Sequence, residues 1–286
     1  MNVNTLLPTV GGFVTSFIKK NKASAVVAPV LTSPLRFPHG PFQFHIRMAV
    51  SSTYEVHACT DLQNWSCLGS GTVGGSDGID YVDSEASKFG FRFYRVKTPS
   101  ASSANIVGYA SVPFPPGFSM IANPLNAPSN TVGLLFPGLP DGTTFCKFDT
   151  RLFRLTNNAV KMGKWVNPAE ILNPGEGALI FNPTSDFKTL HFSGDVPQGD
   201  LLNPIPAGFS IRSSLVPQPG RLNVELEFPL TDGDVIHIFD RDQQKYIIYP
   251  FPAKEWETHP PTIGVGESFW IGKTTPGNWA RRCKFV

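Results

Sequence analysis

Phe42-Gln43-Phe44-His45-Ile46 and Tyr54-Glu55-Val56-His57-Ala58 alternate apolar and polar side chains with period two, as strands with one face on a core and the other toward water do. Gly78 to Asp83 (GIDYVD) and Phe91 to Val96 (FRFYRV) add two more such runs. Short strands at this spacing, joined by Gly, Ser and Asp turns, predict a small antiparallel sandwich over residues 35–104, ending in the small polar linker Pro99 to Asn105.

Downstream the chain repeats itself. Gly117-Phe118-Ser119 returns as Gly208-Phe209-Ser210 (208 − 117 = 91), and the same offset relates Asp141-Gly142 to Asp232-Gly233, Phe148-Asp149 to Phe239-Asp240, Trp165 to Trp256, Gly175-Glu176 to Gly266-Glu267 and Ile180 to Ile271. One spacing kept through all these landmarks predicts two copies of a unit, 105–195 and 196–286. Thr143 to Phe148 and Asp234 to Phe239 read as strands after a Gly turn, and Gly177 to Asn182 and Ser268 to Lys273 as strands launched by a Gly-Glu turn. Proline between these runs forbids long helices, leaving one helical turn at Asn130 to Phe136, mirrored at Arg221 to Glu227. The fold class expected is all-β: a small antiparallel sandwich followed by two homologous β-repeat domains packed in tandem.

Composition agrees. The 286 residues hold 26 Gly and 27 Pro with only 16% charged residues, which suits short strands and many turns and disfavours surface helices. A net charge of +2 gives no argument for nucleic acid or an anionic membrane as partner, and no apolar run reaches the roughly 18 residues of a spanning helix. Residues 1–34 read as an arm and linker: Leu6 to Ile18 is moderately apolar, but Lys19, Lys20 and Lys22 follow it where an export signal carries its charge in front.

The stretch Cys59 to Leu68 (CTDLQNWSCL), then Asp80-Tyr81-Val82-Asp83, then Phe89 to Val96 (FGFRFYRV), resembles a module found near the carboxyl terminus of secreted and surface proteins of verrucomicrobial and planctomycete-type bacteria. Gly117 to Leu125 (GFSMIANPL) with Pro174 to Gly177 (PGEG) resembles repeat units of bacterial cell-surface proteins. The resemblance covers residues 35–286 and implies a setting outside the cell, extracellular or on its surface, without implying a reaction. Cys59 stands where the module usually has Ser.

Candidate chemistry is sparse. Cys59 and Cys67 flank the turn around Asp61 to Trp65 and are candidates for a disulfide, whose small closed loop is worth roughly 2.5 kcal/mol on the chain-entropy estimate. His45 and His57, with Glu55 nearby, outline a metal site, against the plainer reading of surface histidines on separate faces of a sheet, which is preferred. Asp77, Asp80 and Asp83, or Asp232 and Asp234, offer oxygen ligands for calcium and serve as well as turn formers. Glu176 and Glu267 suit backbone capping after a turn glycine better than paired catalytic carboxylates. Trp165 and Trp256, matched between copies, read as core, whereas Trp270 and Trp279 stand where the first copy has Leu179 and Lys188 and are candidates for glycan contact.

No HExxH, GxSxG, P-loop or GxGxxG pattern occurs, so no catalytic, cofactor or metal residue is assigned. The expectation is a noncatalytic structural or interaction protein of the bacterial exterior, a self-assembling filament or surface-layer subunit whose arm, through Val26, Val27, Val30 and Leu31, adds a strand to a neighbour's sheet. The other reading is a carbohydrate-binding protein.

Overall fold

The structure is a computed structural model and describes residues 27–38, 40–75 and 78–284. The amino-terminal module contains β1 (Val30–Arg36), β2 (Phe42–Arg47), β3 (Thr53–Cys59), β4 (Ser66–Thr72), β5 (Gly78–Asp83) and β6 (Phe91–Lys97). The first repeat follows with β7 (Val107–Phe114), β8 (Gly117–Ala122), β9 (Thr144–Cys146), β10 (Phe148–Asp149), β11 (Arg154–Leu155), β12 (Asn158–Lys161), β13 (Lys164–Trp165), β14 (Gly177–Asn182) and β15 (Lys188–Asp195). The second comprises β16 (Gly199–Ile205), β17 (Gly208–Arg212), β18 (Gly220–Arg221), β19 (Val235–Asp240), β20 (Lys245–Pro250), β21 (Thr262–Ile263), β22 (Phe269–Lys273) and β23 (Gly277–Cys283). The fold is all-β and antiparallel, as the sequence pattern predicts.

The four strands expected from alternation are β2, β3, β5 and β6. The sheet β1-β2-β5 lies over a second sheet ordered β15-β7-β6-β3-β4, so the first and last strands of repeat 1 complete the module's sandwich and the boundary at 104/105 cuts through a sheet. Phe42, Phe44, Ile46, Val56, Tyr94 and Tyr109 fill the space between the sheets. Each such side chain contributes about 1.5–3 kcal/mol by leaving water. The buried Asp83 carboxylate accepts hydrogen bonds from Tyr94 Oη at 2.7 Å and Arg92 Nη1 at 2.8 Å.

Strand β1 corrects the reading of residues up to 34 as arm and linker. Val30 pairs with Arg47 and Leu31 with Ile46, and Leu31 is only 2% exposed. Pro34 and the left-handed Ser33 (φ 55°) interrupt the strand where its register slips between Thr32 and Leu35, which hides the alternation in the sequence.

The two repeats fold alike in their central sheets. Leu179 pairs with Cys146 as Trp270 does with His237, and Ile180 with Ser119 as Ile271 with Ser210. In both copies a four-residue loop, 150–153 or 241–244, ends in a left-handed residue, Phe153 (φ 51°) or Gln244 (φ 50°). Each loop opens on an aspartate whose Oδ1 accepts two N–H groups: Asp149 from Arg151 and Leu152, Asp240 from Asp242 and Gln243. The helical turn α1 (Val132–Leu135) is present, but its mirror at 221–227 is an irregular turn in which Arg221 pairs with Glu225, and a second turn, α2 (Glu255–Thr258), occupies the place of β13.

One difference carries consequences. The loop after β14 spans 183–187 and the loop after β22 only 274–276, so repeat 2 is two residues shorter there. The outer ladder slips to match: Val112 pairs with Leu190 in repeat 1, whereas Asn203, its equivalent, pairs with Trp279. A slip of two keeps every side chain on its original face.

The units do not form the row that tandem modules suggest. Cys59, Leu62, Phe93 and Ile106 share a buried cluster with Val216 and Cys283 of repeat 2, and Gln218 Nε2 donates to the Asp61 carbonyl at 3.2 Å. Repeat 2 therefore packs back on the module as well as on repeat 1. No helix among the described residues is long and apolar enough to cross a membrane.

Candidate functional site

The repeats meet through a reciprocal contact. Ala122 N–H donates to Gly266 O at 2.8 Å and Ser213 N–H to Gly175 O at 3.1 Å. Ile121 bridges to Glu267 as Arg212 does to Glu176. Partners in one contact stand 91 positions from those in the other. Met120, Leu179 and Ile211 are buried at the junction, with Phe148, Phe239 and Trp270 packed around them. Each hairpin tip reaches the opposite copy: Gln244 accepts from Phe118 N–H at 2.7 Å and donates to Phe118 O at 3.0 Å, while Phe153 packs edge-on to Phe209 with centroids 6.2 Å apart.

Beside the junction opens a cleft of about 530 Å³ lined by Lys147, Arg151, Glu170, Glu176, Ser210 and Arg212 among others. Its acids are committed. Glu176 Oε2 accepts the Asn173 N–H at 2.8 Å and sits 2.9 Å from Lys147 Nζ, which also donates to Ile171 O. Glu267 repeats the arrangement, capping Gly264 N–H at 2.8 Å and pairing with Arg241. The two glutamates are turn caps, as their place after a glycine predicts. Burial lowers the pKa of Arg212 while Glu176 opposes the shift, and the N–H groups of Leu152 and Arg151 hold the Asp149 carboxyl below the usual carboxylate range. Cations, acids and the hydroxyls of Thr150, Thr156 and Ser210 beside the Phe148 ring can hydrogen-bond a neutral polar ligand such as a sugar, and no described histidine or cysteine lines the cleft.

The remaining sequence candidates separate. Trp270 is half-buried at the junction, its indole N–H donating to Tyr246 Oη at 3.1 Å and its ring edge-on to Phe148. Trp279 is 1% exposed, donates to Leu226 O at 2.7 Å and packs on Phe228 and Phe269, so it is a core residue and no glycan contact. The ladder slip is the reason: in space Trp279 replaces buried Leu190, not the Lys188 found by counting 91. Trp165 and Trp256 are buried in their repeat cores.

Cys59 and Cys67 are free thiols, as are Cys146 and Cys283. Cys67 lies opposite His57, not Cys59, and Cys59 turns into the cluster against repeat 2, where burial raises its pKa to about 11. The expected disulfide therefore does not form. His45 and His57 lie on different sheets, His45 against Asp80 at 2.8 Å and His57 against Glu55 at 2.9 Å. Of the calcium candidates, Asp83 is taken by Arg92 and Tyr94, Asp234 by Lys273, and Asp77 lies outside the described residues. Of the arm residues, Val26 lies outside the described residues, Val27 is exposed, and Val30 and Leu31 are already paired within their own sheet.

Sequence reasoning did not anticipate an apolar belt across the junction. Phe153 (66% exposed), Phe209, Trp270 and Tyr246 run from repeat 1 to β20, whose Ile247 and Ile248 are also exposed. Lys245 to Pro250 (KYIIYP) carried that signal as an aromatic and β-branched run with one charge. Compared with known proteins, the chain matches no protein-family model and no curated protein.

Proposed function

We propose that this chain is a noncatalytic interaction protein of the bacterial exterior that associates with a second copy of itself through β20. The exposed edge of that strand carries the reading. β20 ends the sheet β17-β22-β19-β20, so no described strand pairs with its outer backbone, and Tyr246, Ile247 and Ile248 leave apolar surface on both of its faces. A second β20, antiparallel across a two-fold axis, satisfies both edges at once and closes the assembly. On this reading self-association uses repeat 2 instead of the arm, and the pairing of Val30 and Leu31 within their own sheet supports it. The exterior setting rests on the motif resemblance.

Light scattering tests it. Wild type and a chain lacking residues 2–26 should both be dimers, and Ile248→Lys, which puts a charge on the edge, should be a monomer. A monomeric wild type at every concentration, or a dimer unaffected by Ile248→Lys, overturns the reading. The cleft beside Trp270, with polar side chains near aromatic rings, supports the second reading, glycan binding. On a glycan array that reading requires a signal that Trp270→Ala removes.

A further inference from the structure

Glu55, His57 and Cys67 stand together on the face of the five-stranded sheet that points away from the sandwich core. One carboxylate oxygen, one imidazole nitrogen and the thiol sulfur lie within 4.8 Å of one another. Glu55 and His57 share a face because they are two apart on β3. Cys67 joins them through an irregularity. Val56 pairs with Gly69, so a regular ladder would set Leu68 opposite His57, but the register shifts there and Cys67 takes that place. The extra residue lets Leu68 turn to the core, where it packs with the sandwich cluster, and brings the thiol round to the imidazole. Bulges re-aim side chains in this way beside functional sites.

We infer that Glu55, His57 and Cys67 bind a zinc ion. A thiolate, an imidazole and a carboxylate form a donor set of borderline softness, which suits zinc and is a poor match to calcium or magnesium, whose ligands are oxygens. Zinc–ligand bonds of roughly 2.0–2.3 Å bring tetrahedral donors to about 3.2–3.8 Å from each other, within small rotations of the present spread. Three protein ligands leave a fourth position for water, and Glu55 borders an open groove with Ser70, Thr72 and Lys97 through which an ion can enter. On binding, the Cys67 S–H proton passes to solvent as the Zn–S bond forms, and the two anionic ligands balance the 2+ charge. On β6, Arg95 and Lys97 stand opposite His57 and Glu55, and the Arg95 guanidinium lies over the Trp65 ring at 4.4 Å. The inference is independent of the proposed self-association.

The test uses the full chain stripped of metal. Zinc is titrated in competition with a chromophoric chelator, and Co²⁺ is added separately as a spectroscopic probe. The wild type should take up one equivalent of zinc and, with Co²⁺, show thiolate-to-metal charge transfer and the visible bands of a tetrahedral site. His57→Ala and Cys67→Ser should each weaken zinc binding by more than about tenfold, since even residues that merely support ligands cost that much. Cys67→Ser should also lose the charge-transfer band, while Cys146→Ser keeps both properties. Cys67 is exposed, so metal-free Cys67→Ser should unfold at the wild-type denaturant midpoint, while His57 and Cys146 are half-buried and their variants are titrated only after a cooperative unfolding transition shows them folded. Uptake that is unchanged in His57→Ala and Cys67→Ser, or a cobalt complex without a thiolate band, overturns the inference. So does wild-type protein that takes up no zinc.

Discussion

Lys273 and Asp234 form an ion pair at 2.5 Å with side chains 1% and 0% exposed, at the end of a strand where a lysine reads as solvated. Repeat 1 has Asn182 and Thr143 at these two positions. The exchange extends further: Thr231 and Thr274, whose N–H groups donate to Asp234, are Pro140 and Pro183 in repeat 1 and have no N–H to offer. Four coordinated differences between copies thus record one buried carboxylate, a signal that was present in the sequence but looked like four unrelated changes. Removing one partner of such a pair strands the other, so Lys273→Met should cost about 3–5 kcal/mol in denaturant unfolding. The four-residue exchange Thr231→Pro, Asp234→Thr, Lys273→Asn, Thr274→Pro should recover most of that loss. Burial alone raises the Asp234 pKa, but hydrogen bonds from Lys273, Thr274 and Thr231 outweigh it and leave the carboxyl below its usual range. A depressed carboxylate pKa gives stability that is present above the unfolded value, about 3.9, and is lost as pH falls through the folded one. Unfolding followed from pH 6 downward should show this acid-side loss in the wild type and a smaller one in the four-residue exchange; equal slopes would remove the pair from the account.

At the level of elements, the repeated strands and their turns were legible because period-two alternation and a constant offset are local signals. Trp279 was not, because two residues missing from the loop after β22 shift the final strand against the count of 91. β1 was hidden by Pro34, and the pairing of β6 with β7 by the sequence's own division into module and repeat. The Gly-Glu turns were read for their capping but not for their reach. Gly175 (φ +87°) and Gly266 (φ +79°) need left-handed backbone, and a Cβ at Gly266 would lie 2.3 Å from Val112 Cγ2, as one at Gly175 would lie 2.8 Å from Asn203 Nδ2. Val112 and Asn203 are themselves equivalent. Gly266→Ala should therefore destabilise the chain by more than about 1 kcal/mol, combining left-handed strain with the clash. Gly138→Ala, at a φ of +68° with open space around it, should show the strain alone. Denaturant midpoints for the two variants decide it, and equal losses would mean the contact between copies is slack.

For the whole molecule, the three units enclose one another's apolar faces. Repeat 2 covers Phe93 and Leu62 of the module and Met120 of repeat 1, and β7 and β15 of repeat 1 lie in the module's sheet. The packing of one copy on the other follows from the duplication, but the return of repeat 2 onto the module could not be read along the chain, since contacts between Cys59 and Val216 or Gln218 and Asp61 leave no local pattern. A fragment of residues 196–286 should bind a dye for exposed apolar surface and unfold at lower denaturant than the full chain. A midpoint matching the full chain would make repeat 2 autonomous.

The hydrogen bonds from Ala122 to Gly266 and from Ser213 to Gly175 are one bond made twice, in opposite directions. A lone copy of this unit therefore owns both halves of the handshake and would recognise its own kind. Linking two of them end to end turns a meeting that depends on dilution into one fixed by a short tether.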